Sequence, residues 1–125
     1  MKRGLILINA YCKLASFVNQ AERLKTEFNK LGVEIDVRRN DFFAVRINKE
    51  GRLESIVKEY DFCVYLDKDK YMSAMLEKCG MRLFNSHSAI QACDDKMTTQ
   101  ILLSDNNIAM PPTLSGLLCY DESQP

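Results

Sequence analysis

Apolar residues along the chain switch repeatedly between the spacing of a strand and the spacing of a helix. Four stretches have the continuous or alternating apolar pattern of strands: residues 5–8, 33–37, 62–66 and 82–84. Three stretches have apolar side chains every three or four residues, as helices do: residues 17–31, 72–79 and 90–101. The first and third strands are apolar throughout, which is typical of strands covered on both faces.

In three regions the apolar pattern is short or ambiguous. Residues 41–48 contain a short alternating pattern that favours an edge strand or one arm of a hairpin. Apolar residues within 53–60 recur at helical spacing and predict a short helix after a glycine. Asp94 or Asp95 is expected to divide the last helical stretch into two helices, because aspartate competes for local backbone hydrogen bonds.

Strands that alternate with helices predict an α/β fold with a small, doubly wound, mostly parallel sheet of four or five strands. Helices are expected on both faces of this sheet. In such sheets ligands bind beyond the carboxyl ends of the strands. Three polar segments follow predicted strands, at residues 9–11, 67–70 and 85–88. The sequence therefore predicts a ligand site at this edge.

The first two segments each have two interpretations. Asn9 and Tyr11 could hydrogen-bond to a polar substrate, or they could be a turn asparagine and a half-buried tyrosine. The alternating charges of residues 67–70 could meet a charged ligand. We favour the other interpretation, in which Asp67 or Asp69 caps the next helix.

In the third segment Ser86 or Ser88 is a candidate N-cap. A helix that begins there presents backbone N–H groups that suit an anion, and Asn85 precedes them. His87 is the chain's one histidine and has no partner visible in the sequence, so a catalytic role for it is not favoured.

Composition excludes several function classes. The 17 basic residues balance the 17 acidic ones, which gives no electrostatic case for a nucleic acid or a membrane surface. The apolar segment at residues 4–10 is too short to span a bilayer. The five cysteines are widely spaced without C-x-x-C, so neither zinc nor a disulfide framework is favoured, and a reducing cytoplasm is expected. Neither G-x-G-x-x-G nor G-x-x-x-x-G-K-[ST] occurs.

The segment from Gly80 to Thr113 has an ordered set of features. They are Phe84-Asn85, Ser88–Ala92, Asp95-Lys96, Leu102-Leu103, Asn107-Ile108 and Pro111-Pro112-Thr113. This order resembles the end of the N-terminal domain of ATP-grasp ligases, especially ribosomal protein S6 modification enzymes and related α-L-glutamate ligases. In that group a strand ending in Asn, a short helix, Asp-Lys, a second helix and Pro-x-Thr follow one another. The match covers about a quarter of the chain.

The resemblance implies a Rossmann-like pre-ATP-grasp domain over residues 1–113. Residues 114–125 would begin the link to a missing ATP-grasp domain. Enzymes of this family join a carboxylate to an amine through an acyl phosphate, and they use ATP and Mg²⁺. Lys96 of the Asp-Lys pair is the one residue that the resemblance places near the nucleotide phosphates.

The expected function is therefore the substrate-side domain of an ATP-dependent carboxylate–amine ligase, inactive alone. The catalytic and metal-binding residues would lie in later domains of the same chain. A small-molecule or peptide substrate would contact Asn9, Tyr11, Asn85 and Ser86. An apolar face left exposed could also form a homodimer.

Two alternatives stay open. The first is a free-standing, flavodoxin-like module for ligand binding or signalling, and the second is a structural interaction domain. A phospho-acceptor module should carry acidic residues after its first strand and an aspartate after its third. Asp67 fits the second position, but Asn9 and Tyr11 replace the acids, which argues against signalling.

Overall fold

The computed structural model describes residues 1–117. The strands are β1 (Arg3–Ile8), β2 (Glu34–Arg39), β3 (Val45–Ile47), β4 (Leu53–Ser55), β5 (Phe62–Tyr65) and β6 (Leu83–Phe84). The helices are α1 (Ala15–Lys30), α2 (Lys70–Lys78), α3 (His87–Asp94) and α4 (Lys96–Leu103). A single 3-10 turn, Asn40–Phe42, follows β2.

The main sheet has four strands in the order β2-β1-β5-β6, and every neighbouring pair is parallel. Leu5 in β1 lies opposite Asp36 in β2 and opposite Cys63 in β5. The chain therefore builds outward from β1 to β2 and then crosses to the other side of β1. This small Rossmann-like α/β fold confirms the predicted fold class.

Alternate residues of β1 and β5 supply two separate apolar clusters, one on each face of the sheet. On one face Ile6 and Ile8 pack with Ala21 of α1. On the other face Leu5 and Leu7 belong to a larger cluster that includes residues of α2, α3 and the β3–β4 hairpin. Both faces of β1 are covered, which is why its sequence is apolar throughout.

The prediction of a short helix within residues 53–60 is wrong. Residues 53–55 form β4, which pairs antiparallel with β3 and so completes the hairpin expected near residues 41–48. The Asn48 side-chain oxygen accepts from the N–H groups of Glu50 and Arg52, at 3.0 and 2.9 Å, and Gly51 takes a positive φ of 74°. This turn directs the chain back as a strand, so Gly51 closes a hairpin and does not precede a helix.

The division of the last helical stretch is confirmed. Asp95 lies between α3 and α4 with extended backbone, and its carboxylate accepts a 2.6 Å hydrogen bond from the N–H of Thr98. That hydrogen bond lowers the pKa of Asp95. Gly32 follows α1 with a positive φ of 73°, the conformation in which a glycine commonly ends a helix.

None of the helices formed by residues 1–117 has both the length and the hydropathy that a bilayer-spanning helix needs.

The close approach of β1 to β5 requires a glycine at position 4. A Cβ atom at Gly4 would overlap the ring of Phe62, which occupies the space above it. The Phe62 ring is held between two other aromatic rings, with centroid distances of 5.6 Å to Phe28 and 6.2 Å to Phe84. It therefore has little freedom to move aside.

A charged cluster joins the amino ends of the strands. The Arg3 guanidinium donates a 2.9 Å hydrogen bond to Asp36, and the Tyr60 hydroxyl donates one of 2.6 Å to the same carboxylate oxygen. The backbone N–H of Arg3 also donates to Asp61 at 2.8 Å. The Tyr60 hydrogen bond and the Arg3 charge lower the pKa of Asp36, while burial and the Asp36 carboxylate raise the pKa of Tyr60 to about 12.

Replacing Gly4→Ala should lower the free energy of unfolding by about 1–3 kcal/mol, because the added methyl group overpacks the Phe62 ring. Urea unfolding measures this change. Gly116→Ala is the matched control, since no heavy atom lies within 4 Å of a Cβ at that position. Adding Phe62→Leu should restore part of the loss in the Gly4→Ala protein. An unchanged midpoint for Gly4→Ala would contradict the packing argument.

Asp36→Asn should reduce stability at pH 7 by roughly 1 kcal/mol, a small value because Asp36 is partly exposed. The folded-state pKa of Asp36 is lowered, so its contribution is present above the unfolded-state pKa of about 3.9 and is lost as the pH falls through the folded-state pKa. The gap in melting temperature between wild type and variant should therefore narrow below about pH 4. Asp41→Asn, at an exposed position, is the control and should change the stability at pH 7 little.

Candidate functional site

The ends of β1, β2 and β5 are joined by one carboxylate. Asp67, two residues after β5, accepts a 3.1 Å hydrogen bond from the side-chain amide of Asn9 and a 2.6 Å bond from that of Asn40. Its Oδ1 atom also accepts from the N–H of Lys68 at 2.7 Å. Asn9 follows β1 and Asn40 follows β2, so Asp67 holds three strand ends together.

In both asparagines the side-chain nitrogen donates a hydrogen bond and the side-chain oxygen accepts one. The Asn9 oxygen accepts from the N–H of Tyr11 at 2.8 Å, and the Asn40 oxygen accepts from the N–H of Ala10 at 2.9 Å. The amide orientations are thereby set, because each nitrogen faces Asp67 and each oxygen faces a backbone donor. Arg39 adds bonds of 3.0 and 2.9 Å to the carbonyl groups of Asn9 and Cys12.

Asp69 is the helix cap that the sequence predicted as one of two choices. Its side chain accepts from the N–H groups of Tyr71 and Met72 at 2.8 and 3.1 Å, at the start of α2. Asp67 has the different task described above. Asn40 and Arg39 were missed because the strand-end rule had been applied only to the other three strands of the sheet.

Clefts open on both sides of this network. The cleft at the ends of β1 and β5, named the switch-point cleft, has a volume of about 240 Å³. It is lined by Ile8, Asn9, Cys12, Phe17, Leu66, Asp67 and Lys68. A second cleft of about 290 Å³, named the α3 cleft, lies between the end of β5 and helix α3. It is lined by Asp67, Lys68, Asn85, Ala89, Ile90, Cys93 and Asp94.

Lys68 lines both clefts and also a third one of about 470 Å³, which reaches the start of α4. Its ammonium group lies 2.9 Å from a carboxylate oxygen of Asp94, at the end of α3. The side chain of Lys68 is 80% exposed, so water screens this ion pair. Among the residues that line these clefts, Lys68 is the cation common to all three.

The structure brings two of the predicted site residues to these clefts. Asn9 lines the switch-point cleft, and Asn85 lines the α3 cleft. Tyr11 is 90% exposed, and within residues 1–117 its hydroxyl makes no hydrogen bond. Ser86 is the N-cap of α3 and accepts from the N–H of Ala89 at 3.2 Å.

Lys96 lies apart from these four residues. It is the first residue of α4, its side chain is exposed, and it lines none of the three clefts described here. Among the described residues it forms no salt bridge. Its ammonium group is consequently available to a partner outside residues 1–117.

The start of α3 is less open to an anion than the sequence suggested. The N–H of His87 donates to Glu77 at 2.9 Å, and Ser86 caps the helix. The His87 ring lies 2.8 Å from the hydroxyl oxygen of Ser73, which is fully buried and donates its own proton to the Lys70 carbonyl. Whichever tautomer the ring adopts, the burial of Ser73 keeps its hydroxyl away from a substrate, so this pair does not form an accessible nucleophile.

Residues 1–117 contain no group of three or more His, Cys, Asp or Glu side chains arranged to hold a metal ion. The four cysteines in this range, Cys12, Cys63, Cys79 and Cys93, are free.

No protein-family model matches the chain. The chain is similar to the "Uncharacterized protein MG012 homolog" of Mycoplasma pneumoniae, with 30% identity over 108 residues. The match covers 86% of this chain but 36% of that protein. The chain thus spans little more than a third of the length of this curated relative.

Asp67→Asn should lower the free energy of unfolding by about 1–3 kcal/mol, because the new amide group turns one donor toward the donors of Asn9 or Asn40. Chemical unfolding measures the change, with Asp41→Asn as the exposed control. In a double-mutant cycle, Asn40→Ala should cost less in the Asp67→Asn background than in the wild type. Additive effects would contradict a direct Asn40–Asp67 interaction.

Proposed function

We propose that the chain forms the substrate-side, N-terminal domain of an ATP-dependent carboxylate–amine ligase. The observation that carries this proposal is the segment after β6. Asn85 follows that strand, α3 comes next, Asp95 separates the two helices, and Lys96 begins α4. This order of strand, helices and helix caps is the one expected from the resemblance to ATP-grasp ligases, and it supports the proposal.

The exposed apolar surface of α4 supports the proposal that this chain is part of a larger protein. Among the described residues α4 has no buried side chain, and it packs on α3. Ile101 and Leu102 are 60% and 57% exposed, and Ile108 after the helix is also exposed. Exposed apolar side chains close together in this way are typical of a surface that a partner covers. The greater length of the Mycoplasma relative is consistent with a following domain as that partner.

Lys96 is the residue proposed to contact the nucleotide. A lysine at the first position of a helix adds its charge to the positive end of the helix dipole, which suits a phosphate. Asp95 already occupies the N–H of Thr98, so the ammonium group of Lys96 would be the main donor. The other proposed contacts, Asn9, Tyr11, Asn85 and Ser86, would meet the substrate.

Residues 1–117 do not by themselves fit ATP with Mg²⁺. They offer one lysine that is proposed to meet the phosphates, Lys96, and no metal-binding cluster, whereas phosphoryl transfer needs several charges that neutralise the phosphates. We therefore assign nucleotide and metal binding to later domains of the proposed full-length enzyme. The free cysteines support a cytoplasmic location for that enzyme.

The signalling alternative has weaker support. Asp67, the only candidate phospho-acceptor, accepts three hydrogen bonds from protein groups, which reduces its availability as a nucleophile. The alternative of a ligand-binding module has more support, because residues of this chain are enough to line the switch-point cleft.

The ligase proposal is tested first on the full-length Mycoplasma relative. With ATP and Mg²⁺ we expect ADP and phosphate to be released only when a carboxylate and an amine are both present. The product should have the mass of the two substrates minus one water. ATP turnover without an amide product, or no turnover with a broad panel of amino acids and peptides, would overturn the proposal.

Lys96 is tested in a chimera that carries residues 1–113 of this chain in place of the matching part of the relative. Lys96→Ala should lower kcat/KM for ATP about tenfold or more, the usual effect of losing one charged hydrogen bond. Lys78→Ala, in the last turn of α2 at the opposite edge of the sheet, is the control and should change kcat/KM little. Equal effects of the two substitutions would exclude the phosphate contact.

A further inference from the structure

The switch-point cleft lies where the winding of the sheet reverses. From β1 the chain builds to β2 on one side and to β5 on the other, so β1 and β5 are the neighbours between which the direction changes. Helices that leave these strands go to opposite faces, which opens a crevice beyond their carboxyl ends. The cleft is bounded there by Ile8 and Asn9 after β1, and by Leu66 and Asp67 after β5.

The floor of this cleft is apolar. Ile8 and Leu66 belong to the α1-side cluster, and Phe17 in the first turn of α1 stays 40% exposed beside them. Its volume of about 240 Å³ is below the range of drug-sized sites. Because water occupies about 30 Å³ per molecule in the liquid, the cleft holds roughly eight groups of that size. It suits a ligand about as large as leucine.

The rim of the cleft carries two opposite charges on adjacent residues. A carboxylate has about four acceptor positions, and protein donors take three of those on Asp67, which leaves one for an ammonium group. Lys68 has three N–H donors, and Asp94 takes one of them. The free donors of Lys68 lie on a flexible stem and can meet a carboxylate without breaking that ion pair.

We propose that the switch-point cleft binds a free α-amino acid with a medium-sized apolar side chain. The ammonium group of the ligand meets Asp67, its carboxylate meets Lys68, and its side chain lies on Ile8, Phe17 and Leu66. A ligand with only one of the two charged groups leaves one side of the rim unsatisfied. Glycine satisfies the rim but leaves the apolar floor in contact with water.

The switch-point cleft lies at the carboxyl edge that the proposed ligase would also use, but this inference requires neither ATP nor a following domain. Binding is measured on this chain without ATP, so its failure leaves the ligase proposal unaffected, and the reverse also holds.

The chain carries its own reporters for the test. Cys12 lines the switch-point cleft, Cys93 lines the α3 cleft, and Cys79 is exposed at the opposite edge of the sheet. Burial raises the pKa of Cys63 to about 12, so this thiol should react very slowly. Iodoacetamide labelling followed by peptide mass spectrometry reads each cysteine separately. L-leucine at millimolar concentration should slow the labelling of Cys12 and leave Cys93 and Cys79 unchanged.

Analogues of leucine separate the three contacts. We expect 4-methylpentanoate, which lacks the amine, 3-methylbutylamine, which lacks the carboxylate, and glycine, which lacks the side chain, to protect Cys12 much less than leucine does. Lys68→Gln should raise the leucine concentration for half-protection about tenfold. Lys70→Gln, two residues further along and outside this cleft, is the matched control and should leave it unchanged.

Circular dichroism and the unfolding midpoint establish that both variants are folded before labelling. The proposal is overturned if leucine leaves the Cys12 rate unchanged in the wild type, or slows all the reactive thiols alike. It is also overturned if either single-charge analogue protects Cys12 as well as leucine, or if Lys68→Gln and Lys70→Gln behave identically.

Discussion

The carboxyl edge of this domain depends on the hydrogen bonds that Asp67 accepts from Asn9 and Asn40. Backbone pairing within a parallel sheet stops where the strands stop, so side chains must hold the loops beyond that point. One carboxylate joins the ends of three strands because it accepts several donors at once. The clefts beside Lys68 have their walls in these loops, so their shape follows from the same interaction.

The two edges of the sheet use their charged residues differently. At the amino edge Arg3 pairs with Asp36, and Tyr60 bonds to the same carboxylate. At the carboxyl edge the bonded acid, Asp67, is surrounded by neutral amides, and the nearby cation, Lys68, remains largely exposed. The second arrangement leaves donors of Lys68 and an acceptor position of Asp67 available to a ligand at the rim of the clefts. The amino edge of the sheet thus carries a stabilising cluster, and the carboxyl edge carries the candidate site.

A second contrast lies between the clefts and α4. The clefts are bounded by loops that the sheet itself fixes. The apolar residues Ile101 and Leu102 of α4 remain 60% and 57% exposed within residues 1–117. One surface therefore suits a small ligand on this chain, and the other suits a protein surface. The proposed ligase uses both, with the active site formed where a following domain meets the carboxyl edge.

Local signals in the sequence were enough for most elements, and their failures have physical causes. The apolar period predicted β1, α1, β5 and α2, because burial on both sides of a sheet leaves a strong pattern. Residues 53–60 misled because Val57 and Tyr60 are buried from a turn beside the hairpin, and their spacing then imitates a helix. Asn40 follows β2, so the strand-end rule applies to it, but its contact with Asp67, 27 residues away in the chain, leaves no local pattern.

The sequence by itself determined the α/β order of elements and limited two helix caps and the helix break to pairs of nearby residues, since each depends on residues close together in the chain. The structure then selected Asp69, Ser86 and Asp95 from these pairs. Only the tertiary structure decided that Asp67 joins three strand ends, that Lys68 lies beside several clefts, and that Ser73 is the hydrogen-bond partner of the His87 ring. These contacts depend on which strands become neighbours. That choice is made by the packing of the whole sheet and leaves no local pattern in the sequence.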